Sequence, residues 1–212
     1  MLRYLTFFSL FILILQGTAH AAPFGSHVFS ADYGRVNLSR TFDFETYTAT
    51  GSEEHRQALD DRLNSHKIAD FFEEGAKKID YSVTLLMIGM MYCPDCKIVS
   101  PYLEALSEFN PYIRTRYLVR NDTQGAREFM TAHTGRTNMP SVFVIRPDGS
   151  VADGAYVETP ARVTAMLASA ATDDERNAIW DDFHNGDYDE DVQSDLLKLV
   201  LSASKKQSPL KK

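Results

Sequence analysis

The feature that most constrains this chain is a short apolar run that leads directly into two closely spaced cysteines. The run is Val83 to Ile88 (VTLLMI), and the segment Cys93-Pro94-Asp95-Cys96 follows it. A run of this length suits a strand that is covered on both faces. Covering both faces requires further layers, so the run predicts a central sheet with helices packed against it.

The segments around this strand alternate between helical and strand patterns. Thr50 and Glu53 fit a capping box at the start of a long helix. A strand–helix–strand unit followed by a hairpin predicts an α/β fold with a mixed sheet. We expect helices over about 51–77, 97–109, 122–133, 160–171, 173–184 and 189–203, strands over 113–119, 141–145 and 151–157, and a hairpin turn at 147–150.

Residues 1–21 have the pattern of a secretory signal peptide. Arg3 precedes an apolar run of 11 residues, Leu5 to Leu15, and Ala19-His20-Ala21 supplies a small-x-small cleavage site. The alternative is an uncleaved N-terminal anchor, although the run is short for a bilayer span. We therefore expect an exported protein with no stable membrane span after cleavage, in the periplasm or else fully secreted.

The rest of the chain divides into four predicted parts. These are a flexible leader over 22–50 that docks at most one short strand, a main domain over 51–172, a C-terminal helical extension over 173–203 and a flexible tail over 204–212. Without residues 1–21 the chain has 21 Lys and Arg against 29 Asp and Glu. An acidic chain without a basic stripe argues against a nucleic-acid partner.

The two cysteines are the only ones in the chain, and their spacing favours redox chemistry. A disulfide between Cys93 and Cys96 closes a very small loop, so it adds little stability and suits a bond that is made and broken. At the start of a helix, with Pro94 in the first turn, Cys93 is favoured as the thiolate that attacks, and Cys96 as the thiol that resolves the mixed disulfide. An inert structural bridge and half of a zinc site are the alternatives, but zinc needs further ligands that the sequence does not pair with these cysteines.

Two segments together resemble the thioredoxin superfamily. Around the cysteines, Lys97 and Pro101 stand where that family has a lysine and a helix-kinking proline. Farther on, the segment 137–144 (TNMPSVFV) resembles the family's cis-proline loop, with Pro140 lying 47 residues after Cys93. The resemblance covers about residues 80–170 and is more specific than a lone C-x-x-C.

The resemblance implies a thioredoxin-like fold, with an N-terminal helical extension and additional C-terminal helices, and a thiol–disulfide oxidoreductase. It implies a cis Met139–Pro140 bond packed against the cysteines; an ordinary trans bond is the alternative. Its expected partners are protein thiols or disulfides and a redox partner, with no cofactor and no metal. By position, Cys93 and Cys96 are the catalytic residues, Tyr92, Met139 and Pro140 contact substrate, and Pro94 and Asp95 modulate the pair.

Several positions depart from the family pattern. Tyr92 replaces the usual tryptophan, Met87 stands where a buried aspartate is usual, and Pro94-Asp95 replaces Gly-Pro. The charge of Asp95 is expected to raise the pKa of Cys93, which favours a reductase or isomerase over an oxidase. The missing acid also leaves open a non-catalytic binding module that holds a client protein or a soft metal ion such as Cu(I) on the two thiolates.

Two features of the C-terminal part have simpler explanations than a site. Asp187, Asp189 and Asp191 alternate like the start of a calcium loop, but they fit better as acids in the first turn of the last helix. Trp180, the single tryptophan, is predicted to anchor the packing of the C-terminal helices.

Overall fold

The computed structural model describes residues 27–120 and 125–204. The predicted signal peptide over 1–21 and nearly all of the predicted tail lie outside these residues. None of the helices in the described part is long and apolar enough to cross a membrane.

A mixed four-stranded sheet forms the centre of the molecule, in the order β2-β1-β3-β4. Strand β1 (Val83–Gly89) runs parallel to β2 (Ile113–Val119) and antiparallel to β3 (Ser141–Ile145), which pairs antiparallel with β4 (Tyr156–Val157). All seven residues of β1 are buried. This confirms the prediction of a strand covered on both faces and of a thioredoxin-like α/β fold.

Alternate residues of β1 face two separate apolar cores. Leu85 and Met87 belong to the larger core, whereas Leu86 and Ile88 belong to the smaller one. The larger core includes buried residues of most helices, and the smaller one is closed by α5 and by residues 28–36. The helices are α1 (Phe44–Thr48), α2 (Glu53–Ser65), α3 (Asp70–Lys77), α4 (Pro94–Phe109), α5 (Ala126–Thr134), α6 (Ala161–Ser169), α7 (Asp173–Asn185) and α8 (Asp189–Ser204).

The single helix predicted over 51–77 is two helices, α2 and α3. The cap of α2 is Ser52, whose Oγ accepts from the backbone N–H of His55 at 3.3 Å. Thr50 was the wrong choice because its hydroxyl instead donates to the Tyr47 carbonyl at 2.7 Å. The chain stays extended before α3, where Ala69 N–H donates to the side chain of Gln193 in α8 at 2.8 Å.

From His27 onward, the segment predicted as a flexible leader is packed against the rest of the domain. Val28, Phe29 and Val36 are buried in the smaller core, and Tyr47 is fully buried in the larger one. Phe42 exchanges two backbone hydrogen bonds with Tyr117 of β2, at 2.7 and 2.8 Å. These apolar side chains dock more of the segment than one short strand.

Two further boundaries differ from the predictions. The return strand predicted over 151–157 is reduced to β4 and an isolated bridge between Val151 and Ile145, with a turn at Gly154 (φ 86°) between them. Helix α5 begins at Ala126, and the predicted start at 122 lies outside the described residues. The helices predicted over 173–184 and 189–203 are present as α7 and α8.

Candidate active site

The two cysteines lie where the central strand passes into helix α4. Cys93 occupies the cap position, with extended backbone, and Pro94 takes the first helical position. The helix therefore starts at Pro94, as the cysteine motif predicted, and three residues before the range 97–109 that the apolar pattern indicated, because the proline needs no hydrogen-bond partner for its nitrogen there. Cys96 follows in the first turn, and both residues are free thiols.

The second predicted motif lies against the first. The Met139–Pro140 peptide bond is cis, as the resemblance implied. The Cys93 thiol donates to the Met139 carbonyl, with 3.7 Å between sulfur and oxygen. Tyr92 is 53% exposed and Pro94 is exposed, whereas Pro140 is buried. The structure thus brings the cysteines and Met139–Pro140 together, with Tyr92 at the rim.

Both cysteines are buried, although a thiol that attacks a substrate disulfide must be reached by it. Only 7% of Cys93 is exposed, and only 1% of Cys96. The carbonyl before the cis-proline contacts the Cys93 sulfur and accounts for part of the cover. Only a small part of Cys93 is therefore open to a partner in this structure.

The environments of the two thiols drive their pKa values apart. Hydrogen bonding from the Cys96 side chain and backbone lowers the pKa of Cys93, against burial and the charge of Asp95. Burial raises the pKa of Cys96, and the neighbouring Cys93 adds to that rise. Cys93 is consequently the first of the pair to ionise. Asp95 acts in the direction that the sequence predicted, but the thiol of Cys96 outweighs it.

His184 is a site residue that the sequence analysis did not identify. It lies on α7, in the C-terminal extension, and its Nε2 is 2.7 Å from Oδ1 of Asp95. Burial raises the pKa of Asp95, and the bond to His184 partly offsets that rise. The imidazole also stacks on Trp180, with ring centroids 5.7 Å apart. Because 89 residues separate His184 from Asp95, no local sequence pattern predicts this contact.

Tyr47 is a second residue that the sequence analysis missed. A Cβ atom built on Gly89, at the end of β1, would lie 2.6 Å from the Cys96 sulfur and 3.2 Å from the Tyr47 hydroxyl. Cys96 and Tyr47 therefore converge on the backbone of Gly89. Met87, at the position where an acid would be usual, is fully buried, and Ser100 Oγ lies 3.8 Å from its sulfur.

No group of three or more His, Cys, Asp or Glu residues within 27–120 and 125–204 is arranged to hold a metal ion. The paired thiols therefore have no third ligand of these types close by in the described part of the chain. Any metal held there would rest on two sulfurs, an arrangement that suits a soft ion such as Cu(I) better than a structural zinc.

The mixed sheet, with a C-x-x-C at a helix start and a cis-proline facing it, defines a thioredoxin-like protein. The chain belongs to the thioredoxin family, since a family model described as Thioredoxin matches residues 41–175. Comparison with curated proteins gave no significant match.

Two solved structures share the fold. One is a Pseudomonas aeruginosa protein of unknown function, 22% identical, with a TM-score of 0.63, and the match covers 78% of this chain and 95% of that one. The other is an HIV epitope scaffold, 20% identical, also with a TM-score of 0.63, and the match covers 78% of this chain and 96% of the scaffold. Both likenesses concern the fold alone.

Proposed function

We propose that this protein is an exported thiol–disulfide oxidoreductase that acts on protein substrates through Cys93 and Cys96. The observation that carries the proposal is the contact between the Cys93 sulfur and the carbonyl before the cis-proline, at 3.7 Å. It combines a thiol of lowered pKa with a backbone edge, at Met139, along which an extended polypeptide can lie. Tyr92, exposed beside it, supplies an aromatic contact for that polypeptide.

The proposed reduction has two exchange steps. The Cys93 thiolate attacks one sulfur of a substrate disulfide, which forms a mixed disulfide and releases the other sulfur as a thiolate. Cys96 then attacks the Cys93 sulfur, which forms the Cys93–Cys96 disulfide and releases the second substrate thiol. The substrate gains two electrons and two protons, both of which the thiol pair loses. A thiol reductant regenerates the pair.

The charge of Asp95 supports a reductase or isomerase over a strong oxidant. A strong oxidant holds its reduced form stable through a very acidic thiolate. Here the negative charge of Asp95 works against the Cys93 thiolate, although hydrogen bonding from Cys96 still leaves the pKa of Cys93 lowered. An isomerase would use the same Cys93 attack and return the mixed disulfide to a different substrate thiol.

A disulfide-reduction assay on the chain without residues 1–21 tests this proposal. With insulin as substrate and dithiothreitol as reductant, we expect the protein to accelerate precipitation of the insulin B chain. Cys93→Ser should abolish the acceleration, because serine cannot form a disulfide. Cys96→Ser should instead accumulate a mixed disulfide on Cys93, which mass spectrometry detects.

Unchanged turnover in Cys93→Ser would contradict the assignment. No turnover in the wild type, together with tight one-to-one binding of Cu(I) by the reduced protein, would instead favour the binding module. For export, the mass of the protein isolated from its host should lack residues 1–21. A full-length cytoplasmic protein would contradict that part of the proposal.

A further inference from the structure

The Tyr47 hydroxyl is buried without a hydrogen-bond partner among residues 27–120 and 125–204. Its ring stacks on Tyr117, with centroids 4.9 Å apart and planes at 19°. The Tyr117 hydroxyl is not hydrogen-bonded to it and donates to Glu104 at 2.5 Å. A buried hydroxyl without a partner costs folding free energy, so we looked for a function of this hydroxyl beside the two cysteines.

The Tyr47 hydroxyl lies near the sulfur of Cys96. The two groups converge on Gly89, which has no side chain to separate them. Burial is the main cause that raises the pKa of Tyr47, and the charge of Cys96 is the next. A neutral thiol is a weak acceptor, whereas a thiolate is a strong one.

Cys96 needs such a donor when it reacts. It must ionise to attack the mixed disulfide, yet burial raises its pKa. The strand beside it offers Met87, a thioether that neither carries charge nor donates a hydrogen bond. A backbone hydrogen bond at Met90 already lowers the pKa of Cys96. Tyr47, which comes from α1 and lies outside the motif, adds a buried side-chain donor.

We propose that the Tyr47 hydroxyl donates a hydrogen bond to the Cys96 thiolate and so promotes resolution of the mixed disulfide. The inference rests on the proposed function, since it concerns the second exchange step. Because the pKa of Tyr47 is raised, the phenol keeps its proton throughout and acts as a donor, not as a base.

Atoms and electrons balance without any added reagent. The Cys96 thiol loses its proton to water, and its thiolate attacks the Cys93 sulfur. The bond between Cys93 and the substrate sulfur breaks as the Cys93–Cys96 bond forms. The departing substrate thiolate takes up a proton from water, so the net change is one thiol exchanged for another around one disulfide.

The test follows the two exchange steps separately with 5,5′-dithiobis(2-nitrobenzoate). Attack by Cys93 releases one equivalent of the coloured thiolate, and resolution by Cys96 releases a second. Stopped-flow absorbance from pH 6 to pH 10 gives the rate of each phase for the wild type and for Tyr47→Phe, which keeps the ring and its stacking.

We expect Tyr47→Phe to leave the first phase unchanged and to shift the pH profile of the second phase upward by about one pH unit, as the loss of one hydrogen bond to a charged group implies. Below the pKa of Cys96, the second phase should slow by about threefold. The slowing is less than the tenfold loss of thiolate because the remaining thiolate is more nucleophilic. Above that pKa, the variant should match or exceed the wild type.

Tyr102→Phe is the matched control. The Tyr102 hydroxyl is also buried without a hydrogen-bond partner among the described residues, but it faces Arg62 and Asp189 and not the cysteines. This variant should leave both phases unchanged. Urea unfolding reports whether each variant is folded at the assay conditions.

An unshifted second phase in folded Tyr47→Phe would overturn the inference. So would a second phase that stays slower by the same factor above the pKa of Cys96 as below it, because that result would mean misplaced sulfurs and not lost ionisation. Both outcomes are distinct from failure of the proposed function, which a wild type with two normal phases but no insulin reduction would show.

Discussion

Replacing His184 by alanine should destabilise the protein in a pH-dependent way. His184 Nε2 lies 2.7 Å from the Asp95 carboxylate, whose side chain is only 12% exposed. In the variant the carboxylate loses this partner. A buried charge without a partner is more unfavourable than a paired one, so the folded state loses stability.

The size of the effect follows from the geometry. A hydrogen bond to a charged group contributes about 1.5–3 kcal/mol. The His184 side chain is 37% exposed, so water can replace part of the interaction, and we expect a loss of about 1–2 kcal/mol at pH 7. For a chain of this length that corresponds to a fall in Tm of about 2–8 °C.

The sign of the pH dependence follows from the raised pKa of Asp95. Because burial raises it above the usual 3.8, the folded state binds the proton more tightly than the unfolded state, and stability falls as pH rises through the folded pKa. Losing His184 raises that pKa further, so the penalty at pH 7 grows. Below pH 3.8 the carboxyl is protonated in both proteins, and only the loss of the ring stacked on Trp180 remains.

Urea unfolding at pH 7 and at about pH 3.5 measures both quantities. Asp95→Asn supplies the matched background, since it removes the charge and keeps the shape, and His184→Ala in that background should have a much smaller effect at pH 7. An equal loss at both pH values, or an undiminished loss in the Asp95→Asn background, would refute the argument that the carboxylate is the cause.

Two further substitutions test the neighbourhood of the sulfurs. Asp95→Asn alone should lower the pKa of Cys93 further, because the opposing charge is removed, and should speed iodoacetamide alkylation of Cys93 near pH 6. An unchanged pH profile of alkylation would contradict this. Gly89→Ala should reduce the free energy of unfolding by about 1–3 kcal/mol, because the added Cβ would lie 2.6 Å from the buried Cys96 sulfur. An unchanged free energy of unfolding in urea would contradict this and show that the sulfur can move aside.

The parts of the fold that sequence predicted well are those with a strong local pattern. Strand β1 was predictable because every position in it is apolar or tolerates burial, and all are buried. The break between α2 and α3 was not predictable in this way. It depends on the side chain of Gln193, which binds Ala69 N–H across 124 residues of sequence. Local periodicity contains no information about such a partner.

In the candidate site too, the features with a local sequence pattern were predicted, and the contacts between distant residues were not. The spacing of the cysteines, the proline in the first turn and the cis-proline loop are sequence-local features, and the structure brings them together as expected. The low exposure of Cys93 could not be read from the local sequence, because a loop 46 residues away contacts its sulfur. Tyr47 and His184 were missed since neither stands at a fixed spacing from the cysteines.

These two missed residues lie outside the segment between the cysteines and the cis-proline, on either side of it in the sequence. Tyr47 precedes the central strand and approaches Cys96, whereas His184 follows the hairpin and binds the aspartate beside Cys93. The family match ends at residue 175, so it includes Tyr47 and leaves out His184. In the proposed reaction, Tyr47 acts on the resolving thiol and His184 acts on the charge near the attacking thiol, so the two exchange steps can be adjusted separately while the C-x-x-C motif stays the same.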